Sequence, residues 1–86
     1  NDQMRVNYTV IQISEPKPVS VGIYDLAGKR VRILAARDQI GGIYSEEWDG
    51  RDDSGELVPT GNYLVLLQVD SGIGNFERIG LIGVAY

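Results

Sequence analysis

Six carboxylates crowd the segment Glu46-Glu47-Trp48-Asp49-Gly50-Arg51-Asp52-Asp53-Ser54-Gly55-Glu56, and Arg51 is the one positive charge among them. Calcium takes about six to eight hard oxygen ligands from carboxylates and carbonyls, which makes Asp49, Asp52, Asp53 and Glu56 candidate ligands. The spacing departs from the Asp-x-Asp-x-Asp-Gly loop, because Arg51 stands where a ligand should. The competing reading gives Asp49 and Asp52 to their own turn amides and leaves the other carboxylates solvated. The turn reading is the better of the two, so no metal and no cofactor is expected. Paired carboxylates also carry glycosidase chemistry when a cleft holds them about 5–10 Å apart. Glu46 and Glu47, adjacent on a strand, point to opposite faces, and a sandwich of 86 residues leaves little room for a cleft. No enzyme is expected.

Other chemistries fall away quickly. The chain has no cysteine and no histidine, which removes disulfides, thiol nucleophiles, Cys/His zinc sites and Ser-His-Asp triads. Trp48 and the five tyrosines could form a flat platform for sugars. A large aromatic ring gains more by anchoring a core, and Trp48 is assigned there, with Tyr63 beside it on the face of Val65 and Leu67. Tyr24 and Tyr44 are left as exposed rings. Lys29, Arg30, Arg32 and Arg37 form the one basic concentration. They read as the solvated outer side of an edge strand, where charge deters pairing between sheets, or as a docking surface for an acidic partner domain.

The elements that hold these residues are strands. Period-two alternation dominates and no segment carries a helical stripe. Val6, Tyr8 and Val10 alternate with polar residues before the phase shifts to Ile11 and Ile13, which predicts a β-bulge near Val10–Ile11. Glu15-Pro16-Lys17-Pro18 is expected to end that strand, since proline cannot donate to a ladder. Val19, Val21 and Ile23 form the next inward set. Asp25-Leu26-Ala27-Gly28 makes a turn, after which Val31 and Ile33 are expected to face inward and Arg30 and Arg32 outward. Ile43–Trp48 is a short strand. Asn62 to Val69, apolar on both faces, reads as a central strand or one covered by a neighbouring domain. Ser71 to Asn75 is a loop and Phe76 to Ala85 the last strand. Gly28, Gly50, Gly55 and Gly61 set the turns.

These signals predict an all-β, immunoglobulin-like (fibronectin type III-like) antiparallel sandwich of about seven strands, with residues 1–86 as a single domain. Hydrophobic content of 43% with 23% charged residues is that of an ordinary globular chain. A net charge of -4 argues against nucleic acid as a partner. The apolar runs are far too short to insert in a bilayer. The start at Asn1 reads as a cut from a longer protein, so the partners expected are neighbouring domains of the parent protein or another protein, with the isolated domain a monomer.

Val21-Gly22-Ile23-Tyr24-Asp25-Leu26-Ala27-Gly28-Lys29-Arg30-Val31, Gly42, Trp48-Asp49-Gly50-Arg51-Asp52, Gly55 and Val58-Pro59-Thr60-Gly61-Asn62-Tyr63 together resemble the FlgD immunoglobulin-like domain family. The likeness spans roughly residues 19–70 and rests on the Trp-Asp-Gly-x-Asp turn followed by Gly-x-Tyr. It implies a non-catalytic module of a bacterial exported or cell-surface protein that spaces or docks domains. Two further roles go with the same resemblance: a C-terminal sorting domain for type IX secretion, and an assembly domain of the flagellar hook cap. Glu46 stands two before the tryptophan, where the family usually has an apolar or aromatic residue. The tail Ile79–Tyr86 lacks the basic residues usual in the last strand of a sorting domain, with only Arg78 nearby.

Overall fold

The computed structural model describes residues 4–10, 15–70 and 74–85. Within them the chain forms six strands: β1 (Met4–Val10), β2 (Lys17–Tyr24), β3 (Arg30–Gln39), β4 (Gly42–Trp48), β5 (Gly61–Asp70) and β6 (Asn75–Val84). β1 and β4 make a two-stranded sheet, and β3-β2-β5-β6 a four-stranded one, with every neighbouring pair antiparallel. The fold is the immunoglobulin-like all-β sandwich expected. Among the described residues it has six strands where about seven were expected.

Alternation builds each inner face. In β1, Val6, Tyr8 and Val10 are buried while Arg5, Asn7 and Thr9 are exposed, so a slip of one residue would turn the whole apolar set to water. β5 buries Tyr63, Leu67 and Val69 on one side and half-covers Leu64 and Leu66 on the other. Flanked by β2 and β6, it is the central strand that its two apolar faces implied.

The inner faces meet in two clusters. Val6, Tyr8, Val10, Val19, Val21, Ala35, Leu67 and Val69 form one, and Ile23, Trp48, Val58, Tyr63 and Val84 the other. Trp48, Ile23 and Val21 are fully enclosed. Burying a side chain such as Ile23 contributes about 1.5–3 kcal/mol relative to leaving it in water. Aromatic pairs add direction: Tyr63 meets Trp48 edge-on at 5.7 Å, and Tyr8 stacks on Tyr44 at 5.6 Å.

β3 departs from the sequence reading. Its pairing with β2 shifts register between Val21 and Gly22 and again between Ile23 and Tyr24. Leu34 and Val31 are the residues passed over, so the strand bulges twice. The bulges turn Val31 and Leu34 toward the core, whereas Ile33, expected inside, lies opposite Gly22 on the outer side. Gly22 has to be small there. A Cβ on it would come within 2.9 Å of the Tyr24 ring and 3.2 Å of Ile33 Cδ1.

The prolines also differ from expectation. Pro16 precedes β2, but Lys17 and Pro18 open that strand instead of standing between strands. Pro18 pairs with Asp38 of β3, and the pairing of β2 with β5 begins only at Val19. Proline is therefore confined to the end of β2 where one neighbour is present. The last strand runs Asn75–Val84, one residue earlier at each end than expected. The bulge predicted near Val10–Ile11 and most of the Ser71–Asn75 loop lie outside the described residues.

Candidate functional site

The acidic segment folds into an arm. Trp48 ends β4 inside the core, and its indole Nε1 donates to the carbonyl of Arg51 at 2.9 Å. Gly50, at φ 77°, turns the chain outward. Val58 N–H returns to the Gly50 carbonyl at 2.8 Å, and Arg51 bridges to Leu57, so residues 50–58 form a short hairpin. Beyond it the Tyr63 hydroxyl donates to the Pro59 carbonyl at 2.6 Å, and Gly61, at φ 146°, opens β5.

The tip of that hairpin is built by Asp52. One carboxylate oxygen accepts from the Ser54 amide (2.9 Å), the Ser54 hydroxyl (2.6 Å) and the Glu56 amide (3.0 Å). Asp52 N–H donates to the Glu56 carbonyl, and Gly55 N–H to the Asp52 carbonyl. The Ser54 hydroxyl bond first, then the backbone amides, hold the Asp52 carboxyl below its ordinary value of 3.8.

The turn between β2 and β3 repeats this design. Asp25 accepts from the amides of Ala27 (3.0 Å) and Lys29 (2.8 Å), its own amide donates to the Lys29 carbonyl, and Gly28 N–H donates to the Asp25 carbonyl. Gly28 and Gly55 occupy matching left-handed positions, at φ 90° and 92°, a region that glycine enters without steric cost. Both are three-residue loops with a glycine bulge. The shared spacing Asp-x-x-Gly-x, in Asp25-Leu26-Ala27-Gly28-Lys29 and Asp52-Asp53-Ser54-Gly55-Glu56, was present in the sequence. Asp25, not among the candidate residues, could have been found by it.

The arm lies along the outer edge of β3. Asp53 N–H donates to the Val31 carbonyl at 2.9 Å, and the Asp53 carboxylate accepts from the Ile33 amide at 3.2 Å. Asp53 thereby takes the place of a strand neighbour between the two bulges. Its other carboxylate oxygen lies 3.3 Å from Arg30 Nε. Arg32 Nη1 reaches both the Asp49 carboxylate (3.4 Å) and the Arg51 carbonyl (3.2 Å), while Asp49 also accepts from the Arg51 amide (3.1 Å).

Farther along β3, Arg37 is ion-paired with Glu46 of β4. Glu46 is on the inner side of β4, and its side chain is 16% exposed. The Tyr8 hydroxyl shares its one proton between Gln39 Oε1 at 3.2 Å and this carboxylate at 3.5 Å. Burial, the largest influence, pushes the Tyr8 hydroxyl above its ordinary value of 10.0. This group is a clasp: β1, β3 and β4 converge on it and close one side of the sandwich.

The basic and acidic concentrations are thus two halves of one arrangement. Arg30, Arg32 and Arg37 were expected to be solvated or free for a partner, and Asp53 and Glu46 to be solvated. Instead Arg30 pairs with Asp53, Arg32 with Asp49 and Arg37 with Glu46, while the Arg30, Arg37 and Asp53 side chains stay exposed to solvent as expected. Glu47 turns the opposite way, to Arg5 at 3.4 Å, as alternation required. Among the described residues no group of three or more His, Cys, Asp or Glu is placed to hold a metal ion. Trp48 is fully enclosed and offers no flat face to a sugar. Tyr24 and Tyr44 are half-buried, not exposed. What the arrangement does is fasten loops to strands. It gathers no oxygens around a common point.

The profile of the FlgD Ig-like domain family matches residues 3–72. Among solved structures, the crystal structure of FLGD from P. aeruginosa is similar, with a TM-score of 0.78 at 24% sequence identity. That likeness covers 95% of this chain and 62% of the other, so this chain spans about three-fifths of its structural neighbour. At that identity the similarity is one of fold. None of the curated proteins compared matches the chain.

Proposed function

Because this chain belongs to the FlgD Ig-like domain family, we propose that it is a non-catalytic assembly module of the flagellar hook cap. The family match over residues 3–72 carries this reading, and the fold shared with a solved FLGD chain supports it. The broader expectation, a non-catalytic accessory module of an exported protein, fits the same family match but is less specific. The reading places the module outside the cell, docked on a neighbouring domain of its parent protein.

The outer face of the four-stranded sheet supports docking. Leu66 pairs with Ile79 and Leu64 with Leu81 across β5 and β6, on the side away from the core. Ile79 and Leu81 are 67% and 66% exposed, a large apolar display for a lone domain. The structural neighbour has more than a third of its length beyond the part matched here, which is chain enough to cover such a face.

The test is genetic. Disrupting the parent reading frame should leave cells non-motile and without hooks in electron micrographs, with both restored by the intact gene. Normal hooks in the disrupted strain would refute the hook-cap role. Loss of an exported protein from the medium, with hooks intact, would turn attention to secretion instead.

A further inference from the structure

The side of the sandwich opposite the clasp is open. β1 pairs with β4 alone, and its other edge has no strand beside it among the described residues. Across from that edge stands β6, which pairs with β5 alone. Between them runs a groove of about 670 Å³. Val6 and Tyr8 of β1, Leu67 and Val69 of β5 and Ile82 of β6 line it.

The two rims are unlike. Along Met4–Val10 there is no proline and no bulge, and the inner side carries no charge. Arg5, on the outer side, is the one charged residue and is paired with Glu47 on the neighbouring strand, so little on the β1 edge blocks strand addition. On β6, Arg78 pairs in register with Leu67, which sets it on the core-facing side, lining the groove. Its guanidinium has no ion-pair or hydrogen-bond partner among the described residues. The other rim arginine, Arg5, is engaged by Glu47.

We propose that this groove accepts an extended segment of a partner polypeptide, which adds to β1 as a seventh strand. Main-chain hydrogen bonds to the free edge of β1 would supply affinity, and alternate side chains would set specificity. The groove fixes the chemistry of the segment. Its inward side chains are apolar at every second position, and one of them is a carboxylate that meets Arg78. This surface meets the outer face of β5 and β6 at the β6 edge, where Ile79 and Leu81 border both, whereas Leu64 and Leu66 belong to the outer face alone.

The probe is the peptide Val-Ser-Val-Thr-Glu-Thr-Val-Ser-Val, added to the isotope-labelled chain and followed by amide NMR. Shifts should concentrate in β1 and β6. A version N-methylated at alternate residues should not bind, since it cannot form the ladder. Replacing the peptide's Glu by Lys should weaken binding, and R78E should reverse that preference, with the ratio of the two affinities changing by roughly tenfold. R78E alters an exposed side chain, and its circular dichroism should match the parent's. No binding at about 1 mM peptide, shifts confined to Leu64 and Leu66, or equal binding of the N-methylated peptide would each overturn the proposal. Shifts in β1 on concentrating the chain alone would assign the edge to a second copy instead and also overturn it.

Discussion

Trp48 and Arg51 are joined by a hydrogen bond from the indole Nε1 to the Arg51 carbonyl, 2.9 Å long, between a ring wholly inside the core and an exposed residue of the arm. The ring therefore has two tasks. It fills space beside Tyr63, and it fixes the root of the acidic arm. Trp48→Ala should lower stability by about 3–5 kcal/mol through the cavity left behind. Trp48→Phe keeps much of the volume but removes the indole's bond to the Arg51 carbonyl, leaving it Arg32 as donor, and should cost about 1–2 kcal/mol less than the alanine variant. Urea denaturation measures both. An unchanged midpoint for Trp48→Ala would remove the ring from the core.

Gly28 and Gly55 should respond alike. Neither has an atom within 4 Å of where a Cβ would stand, so crowding adds nothing, and both hold φ near +90°. Gly28→Ala and Gly55→Ala should each destabilise by about 1–2 kcal/mol through backbone strain alone. Gly80, also open around its Cβ position but without a positive φ, should accept alanine at no cost. Thermal melts of the three variants check this. A large difference between the first two would mean that the turns are not equivalent.

The Asp52 carboxyl is held below 3.8 in the folded chain. A lowered folded value means that the unfolded chain takes up the proton first as pH falls. The stabilisation from Asp52 is therefore complete above 3.8 and declines as pH drops through the folded value. Asp52→Asn should be less stable than the parent at neutral pH, with the gap closing in acid. Guanidinium midpoints measured from neutral pH downward would show it. A constant gap would disconnect the carboxylate's charge from the turn.

Of the three ion pairs on β3, Arg37–Glu46 should couple most strongly, because the Glu46 carboxylate is the least exposed. A double-mutant cycle should give about 1 kcal/mol there and less than about 0.5 kcal/mol for Arg30–Asp53, which is open to solvent on both sides. Added salt should weaken the second more than the first. Equal couplings would show that burial at Glu46 has no bearing on the pair.

Calcium should leave the melting temperature where a chelator leaves it. Asp52 spends one oxygen on its own turn, and Asp49 and Asp53 face arginines. Only a ligand that prefers the folded state raises the midpoint. A rise of several degrees with calcium would reinstate Asp49, Asp52, Asp53 and Glu56 as a site.

The architecture was legible because it rests on local signals. Val6, Tyr8 and Val10, or Tyr63 to Val69, show their inner face by alternation alone. The turns at Gly28 and Gly55 show theirs by residue type. β3 was not legible in detail, since its two bulges are set by the partner strand and the sequence around Val31 and Leu34 carries no mark of them. Nor were the ion pairs. Arg32 and Asp49 are 17 residues apart in the chain, and only the completed fold sets the arm beside the strand. The charges were counted correctly from the sequence, but their mutual neutralisation was invisible in it.

The clasp of Tyr8, Gln39, Glu46 and Arg37 also decides how the molecule breathes. A sandwich sewn along β3 and β4 and open between β1 and β6 parts as a book parts, with its spine at the clasp. Fluctuations that separate the pages should begin at that open margin and die away toward the spine. The margin proposed to admit a visitor is the margin free to move, so binding there need not deform the rest.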